Sequence, residues 1–506
     1  MLMNSKKFWL VIAVFLGTFI GFLDMTIVNV SLPAIQSDLK TSMEGLQWVV
    51  NAYAICLAIL MLSGGTMGDR YGRKRLWLLG VAVFTIGSAI CAWSSWLAML
   101  VSGRIIQGIG AAFLVPGSLS ILAQAFIDRS QRAQIIGWWS TINSLATVAG
   151  PVLGGILVDE VGWNSIFLIN LPLGIAVFLL GIWAIPESKD PSYTSLDPWG
   201  QLLGIIWLGS LTYALIMGRT LGWMSLFILI LLCVSIIAFL AFVKVELASS
   251  QPMLPIRIFT DRRFAVTNAA SFVLGFGVLA AYFFLSLYLQ QVHGYSASSA
   301  GMRLVPFCGT VALFSVISGW LTGRYGPRQP MLFGYLLCGI GLLGMYFFEP
   351  NTSYIFVAII FIVIGIGMGL ALPATNSAAL AAVPRERSGM ASATVNATRQ
   401  TGATLGIAVM GILFAARSIA TLSKYLEQVN VPAFLSRSIA GNLVNHQGIP
   451  VVTKVSLASG ILEDMYRRAF CCGLHAAMLV GGIVTIIIVA FIWFTDWQCD
   501  TPEANS

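Results

Sequence analysis

From Tyr354 to Leu372 the sequence runs without a charged residue, and Ile486 to Phe494 does the same. An apolar stretch of about 20 residues is the length of helix that crosses a hydrocarbon core roughly 30 Å thick. One such stretch could be a buried helix of a soluble protein. Here they recur along the chain, and lipid is the solvent that fits them. Composition agrees: 58% of the 506 residues are hydrophobic and 9% are charged, against roughly 25% charged in soluble domains. The fold class implied is an all-α integral membrane protein.

Hydropathy and breaker residues place fourteen spans. They lie near 9–32, 46–67, 76–96, 98–125, 134–158, 164–185, 198–217, 224–243, 264–290, 300–322, 331–348, 354–380, 391–415 and 471–495. Lys6 and Lys7 before an apolar run resemble a signal peptide, but the run continues without a small-residue cleavage site, so it is expected to stay as the first span. An even number of spans puts both termini on one side. Arg70, Arg73, Lys74, Arg75, Arg129, Arg132, Lys189, Lys244, Arg257, Arg262, Arg263, Arg324, Arg328, Arg385 and Arg387 then share the side of the termini, whereas the short loops opposite hold only Lys40, Arg219 and Arg303. By the positive-inside rule the basic side, and with it both termini, is expected to be cytoplasmic.

An internal repeat organises the spans. Gly65-Thr-Met-Gly-Asp69-Arg70-Tyr71-Gly72-Arg73-Lys74 follows span two, and Gly319-Trp-Leu-Thr-Gly323-Arg324-Tyr325-Gly326-Pro327-Arg328 follows span ten. The two loops are topologically equivalent if spans seven and eight are an insertion between two six-span halves. Parallel halves of this kind are a transporter design, with the substrate site near mid-membrane between them. The expected division is residues 1–186, a central linker of 187–263 carrying the inserted spans, and 264–506 with a long outer loop at about 416–470. That loop, with Pro432, Asn442, Asn445 and Pro450, is expected to carry short helices over the outer mouth.

Several functions are disfavoured. The net charge of +8 falls in short loops between spans, so it does not mark a nucleic-acid partner. Cys56, Cys91, Cys233, Cys308 and Cys338 lie inside apolar runs, Cys471-Cys472 is read as packing at the start of a helix, and His293, His446 and His475 are isolated; no metal is expected. A Gly-x-x-x-x-Gly-Lys phosphate loop, a His-Glu-x-x-His helix and a nucleophile elbow are all missing, so the chain is not expected to be an enzyme. A sensor would need a soluble signalling domain, and no segment is long enough for one.

Charge inside a span costs about 2.5–3.5 kcal/mol at the helix centre on insertion scales, which makes intramembrane charges candidates for function. Asp24 lies deep in span one, as a proton or cation site or as a structural carboxylate tied to a neighbouring helix. Arg104, in Arg104-Ile-Ile-Gln107-Gly108-Ile-Gly110, needs a carboxylate, carbonyls or water, unless it snorkels to the interface. Arg399 beside Gln400 is a weaker case of the same kind. In the loop, Asp69 can accept from a neighbouring helix N-terminus and Gly72 permits a tight turn. With Gly65, Arg70, Arg73 and Lys74 they could latch helices in one state and release them in another. Pro151 kinks span five, and Gly150, Gly154 and Gly155 let another helix approach. Asn29, Asn51 and Asn143 are cavity candidates, since lipid-facing amides are costly.

Taken together these motifs resemble the major facilitator superfamily, specifically its fourteen-helix drug:proton antiporter branch. Leu23 to Pro33 is similar to that branch's first-helix motif, Gly65 to Lys74 to the superfamily's loop motif, Arg104 to Gly110 to its fourth-helix motif, and Gly150 to Gly155 to its fifth-helix antiporter motif. The resemblance implies two six-helix bundles plus two inserted helices, alternating access, and export of small lipophilic or cationic compounds against protons, with no cofactor. It implies proton coupling by Asp24 and Arg104, cytoplasmic gating by Asp69 and Arg73, and a leak-proof kink at Gly150-Pro151. A bacterial inner membrane is the implied home, with a periplasmic adaptor and outer-membrane channel as candidate partners. The sequence departs from the pattern at Gly323, where the second loop lacks the acid of the first. Asp24 is the one acid placed firmly inside the membrane, which argues against multiply charged cations. A dedicated exporter of a metabolite such as a siderophore is the alternative within the fold.

Overall fold

The computed structural model describes residues 5–126, 129–188, 197–249, 254, 256–383, 388–446, 459–495 and 497. Inside the described helices, the side chains of 5, 62, 63, 65, 66, 69, 129, 130, 132–134, 136, 137, 140, 141, 144, 219, 388, 389, 446 and 459 fall outside the description.

In lipid each backbone N–H and C=O must find its partner within the protein, and a helix does this locally. The described residues accordingly form helices: α1 Ser5–Asp38, α2 Met43–Tyr71, α3 Arg73–Ala92, α4 Leu97–Ala125 and α5 Arg129–Glu160. They continue with α6 Ser165–Ala184, α7 Pro198–Leu221, α8 Leu226–Ala248, α9 Arg262–Val292, α10 Ala297–Tyr325 and α11 Arg328–Phe347. The last four are α12 Tyr354–Ala381, α13 Ser388–Gln428, α14 Ala433–His446 and α15 Ser459–Phe494. Thirteen are long and apolar enough to span by their described residues. The 32-residue α5 makes the fourteenth, and α14 lies outside the set. Polar caps start several of them: Ser42 accepts from Gly45 N, Asp197 from Gly200 N and Asp261 from Arg263 N. Such caps satisfy donors that a helix start leaves open.

In the first half α4 packs on α3 and α2, while α1 packs on α5 and α6. The second half repeats the pattern, with α12 on α10 and α11, and α9 on α13. Glycines let the backbones approach. A Cβ on Gly80 would sit 2.8 Å from Gly110 O, and one on Gly334 would sit 2.7 Å from Gly367 O. The α7–α8 hairpin lies to one side. α7 packs against α2 and α13, and α8 packs mainly on α7 with only 22% of its span buried.

The region at 416–470, expected to carry short helices, is helical over most of its described residues. α13 continues to Gln428, α14 follows from Ala433, and α15 already begins at Ser459. The segment is amphipathic: Leu422, Leu426, Leu443, Val444 and Leu462 are buried, whereas Glu427, Arg437 and Glu463 stay exposed. Cys471 and Cys472 consequently lie inside α15 rather than at its start, and Cys471 is packed in the core.

Candidate functional site

Asp24 sits in α1 with none of its surface exposed, and Arg104 in α4 is 2% exposed. The guanidinium Nη1 donates to Asp24 Oδ2 at 2.5 Å, and its Nε donates to the Val49 carbonyl of α2 at 3.1 Å. Gln107 Nε2, one turn along α4, donates to Asp24 Oδ1 at 3.0 Å and to Ser88 Oγ of α3 at 2.8 Å. Asn170 Nδ2 of α6 adds a bond to Asp24 Oδ1 at 3.1 Å. Gln107 Oε1 in turn accepts from Arg104 Nη1 at 2.8 Å. The Arg104 guanidinium also lies 4.4 Å from the centre of the Tyr53 ring, within cation–π range.

Five helices of the first half, α1, α2, α3, α4 and α6, thus converge on one ion pair. Burying two charges is costly unless hydrogen bonds fill their remaining sites, and here they do. The short side chains around the pair make this possible. Gly87 faces Gln107 N, Gly103 faces Cys91, and a Cβ on Gly108 would sit 2.6 Å from Tyr53 O. Arg104 therefore does not snorkel. Gln107 stood in the sequence only as part of the Arg104–Gly110 motif, and Asn170 and Ser88 were not singled out; the signal available was a polar residue inside an apolar run, clearest at Asn170.

The expected C-terminal counterpart is arranged differently. Arg399 Nη2 donates to Asn396 Oδ1 of its own helix, and Nη1 has no partner. Gln400 Nε2 reaches Met25 Sδ of α1 at 3.7 Å, and its Oε1 has none. Asn51 is fully buried with both amide atoms unpartnered, and Asn143 Oδ1 is unpartnered too. Asn29 Nδ2 donates to the Met25 carbonyl of its own helix at 3.2 Å.

Gly150 and Gly154 pack against Thr26 and Ile27 of α1. Pro151 and Gly155 face the other way: Cβ atoms on Gly155 and Gly301 would collide with backbone of α10 and with Pro151 O. Span five's motif is therefore the seam between the halves. Asp159, one turn further, accepts from Ala297 N at 3.1 Å and Ser298 N at 2.8 Å, capping α10 from across the seam. Gln47 Nε2 donates to Ile407 O, Gln290 Nε2 to Val30 O, and Gln291 Nε2 to Gln36 Oε1. These contacts between halves all lie at mid-membrane or toward the face opposite the basic loops, where the halves are pinned together.

On the basic-loop face the Gly65–Lys74 motif binds its own half. Gly72 has φ +118°, which a side chain would strain, and a Cβ there would sit 2.7 Å from Glu187 Oε1. Glu187 accepts from Lys74 N at 3.1 Å, Arg73 N donates to Ser188 O at 2.9 Å, and Lys74 Nζ donates to Ile182 O at 2.6 Å. Arg70 is exposed beside the Tyr71 ring. The surroundings of Gly65 and the carboxylate of Asp69 lie outside the described residues. In the second loop nothing lies within 4 Å of a Cβ on Gly323.

Two helical bundles meeting over buried polar groups, one pinned seam and repeated loop motifs define a multi-pass membrane transporter rather than an enzyme. The chain belongs to the Major Facilitator Superfamily, whose family model matches residues 14–407. It is 36% identical over 500 residues to the multidrug resistance protein Stp of Mycobacterium tuberculosis, covering 97% of this chain and 93% of that one. It is also 36% identical over 411 residues to the methylenomycin A resistance protein of Bacillus subtilis, covering 81% and 88%. The tetracenomycin C resistance and export protein of Streptomyces glaucescens is 30% identical over 488 residues, covering 96% and 90%. Among solved structures, a bacterial homologue of the human lysosomal transporter Spinster, inward-facing and unoccupied, superposes with TM-score 0.65 at 18% identity over 97% of both chains. That likeness bears on the fold alone.

Proposed function

We propose that this chain exports small lipophilic compounds in exchange for protons, by alternating access between its two halves. The observation that carries the reading is the sealed Asp24–Arg104 pair at the convergence of five helices. With the halves pinned at the face opposite the basic loops, the cavity opens toward the basic-loop face, which positive-inside bias makes cytoplasmic. Substrate enters there. After the switch, Asp24 meets the opposite compartment and takes up a proton, which removes its attraction for Arg104 and loosens the packing of α1 on α4. Gradient energy drives export only if proton and substrate prefer different states, and a carboxylate that is buried and paired in one state supplies that difference. No cofactor has a role, and a proton gradient is the energy source. Glu187 and the Gly65–Lys74 motif hold α3 against the end of α6 in this state; Asp69 and Arg73 would engage the second half in the other.

The relatives named for resistance to several drugs support a drug-type substrate. Those named for a single antibiotic, methylenomycin A or tetracenomycin C, favour a second reading: one dedicated compound. The proposed home is a bacterial inner membrane, with an adaptor and outer channel as candidate partners.

The test is accumulation of a panel of antibiotics and dyes in an efflux-deficient host expressing the chain, with and without a protonophore. Lower accumulation of at least one compound, abolished by the protonophore, is expected. Equal accumulation of every compound, or a difference that survives the protonophore, overturns the reading.

A further inference from the structure

Arg399 is the charge this mechanism does not use. It lies eleven residues into α13, about 16 Å along the helix axis, near the middle of a membrane roughly 30 Å thick. Among the described residues no acid of its own half pairs with it. Asp261, Glu349, Glu386, Glu427, Glu463, Asp464, Asp496, Asp500 and Glu503 are the only acids after residue 260, and all lie at helix ends, in connections or in the terminal segment. Glu386 precedes α13 in sequence and lies outside the described residues. In the first half, Asp24 is the acid at comparable depth, and both its oxygens are taken by Arg104, Gln107 and Asn170. Among the described residues Arg399 has one partner, Asn396 Oδ1, and its Nη1 has none.

Helix geometry gives the direction of the side chain. Gln400 and the Ile407 carbonyl face α1 and α2 of the other half, while Gly402 and Gly406 pack on Phe272 and Phe276 of α9. Leu405 packs beside Leu208 of α7 on the outer flank. At about 100° per residue, Arg399 falls on the α9 side of the helix beside Gly406, where a Cβ on Gly275 would collide with the Arg399 carbonyl. Arg399 is half-buried as a residue, and its unpaired Nη1 is itself enclosed by the surrounding helices.

We propose that the exported compounds carry a carboxylate, which docks on Arg399. This deepens the export reading and rests on it. A guanidinium at mid-membrane without a counter-ion is open to a planar anion, which it holds through two parallel N–H donors. The neighbouring Gln400 Oε1 has no donor and suits a hydroxyl or amide N–H on the same compound. An organic cation would meet the reverse: repulsion from Arg399 and no free carboxylate to pair with. The lipophilic part of the expectation stands, and the cationic part is replaced.

The test uses purified full-length protein and one scaffold in three charge states: anthracene-9-carboxylate, anthracene-9-methanol and anthracen-9-ylmethyl-trimethylammonium. Binding is read from quenching of tryptophan fluorescence, in wild type, Arg399→Gln and Arg399→Lys, each shown to be monodisperse. The carboxylate is expected to bind wild type at least tenfold tighter than the alcohol, to fall to the alcohol's affinity in Arg399→Gln, and to recover in part in Arg399→Lys. The alcohol should bind all three proteins alike. Carboxylate binding that is indifferent to Arg399, tightest binding of the ammonium, or binding of none of the three overturns the proposal. Failure of the export reading shows separately: carboxylate binding that needs Arg399, with no drug exported from cells, leaves the docking site and removes the pump.

Discussion

Arg104 and Arg399 each sit some turns inside a spanning helix, one in each half, and only Arg104 has a carboxylate. The first half closes α1, α2, α3, α4 and α6 around its cation and satisfies it with Asp24, Val49 O and Gln107. Among the described residues the second half carries acids only near the ends of its helices and leaves Arg399 with a single amide oxygen. The contrast separates two tasks. On the proposed reading, the sealed and fully bonded pair answers to a proton, and the unpaired cation answers to an anion that reaches it. In a transporter that must couple two ligands, placing them on different halves lets one rearrangement serve both.

The sharpest way to break the comparison is to remove each cation in turn. Arg104→Ala strands a buried carboxylate, and losing one partner of a buried pair costs about 3–5 kcal/mol, so a large fall in thermal stability is expected in detergent. Arg399→Gln should show no fall, and a rise bounded by the ~2.5–3.5 kcal/mol cost of an intramembrane charge. Equal destabilisation by the two would mean that Arg399 has a partner after all.

A smaller effect is expected at Gln107→Leu. It removes a donor from Asp24 Oδ1 and from Ser88 Oγ, and an unsatisfied buried polar group costs about 1–3 kcal/mol. Thermal unfolding checks it, with Ser88→Ala expected to recover part of the loss.

Gly301→Ala tests which face the unpaired cation sees. Its Cβ would collide with Pro151 O and force the seam apart, moving the population toward the other state. Hydrogen exchange is expected to rise along residues 290–303. Thiol labelling of a cysteine at 399, in a cysteine-free background, should fall from the basic-loop side. Unchanged labelling would place Arg399 outside the moving cavity.

The smallest expected effect concerns the rim of the second half. Burial, then Arg467 and Arg303, hold the His293 imidazole below its ordinary value. A depressed histidine contributes stability above its unfolded value of about 6.5, lost as pH falls from there through the lowered value. The melting temperature should therefore drift down below about pH 6.5, and His293→Gln should flatten that drift.

Much of this was legible in the sequence. Apolar length gave the spans, since a helix in lipid needs little else, and a charge within such a span announced Asp24 and Arg104. Their partners were not legible, because Gln107, Asn170 and Ser88 become partners only when four helices take a particular register. Glu187 read as part of a polar break, yet it caps α3 from a point 113 residues away in the chain. The segment at 416–470 read as a loop because its helices are amphipathic, and charges on one face lower the hydropathy of the other.

The most direct test of proton coupling through Asp24 is proton flux in everted vesicles holding an imposed inside-acid gradient. Anthracene-9-carboxylate and a panel of neutral drugs are added in turn to vesicles with wild type or a folded Asp24→Asn protein. Collapse of the gradient by at least one compound in wild type, with none in Asp24→Asn, is the predicted result. Collapse at the same rate in both proteins would contradict it and leave the buried pair a structural one.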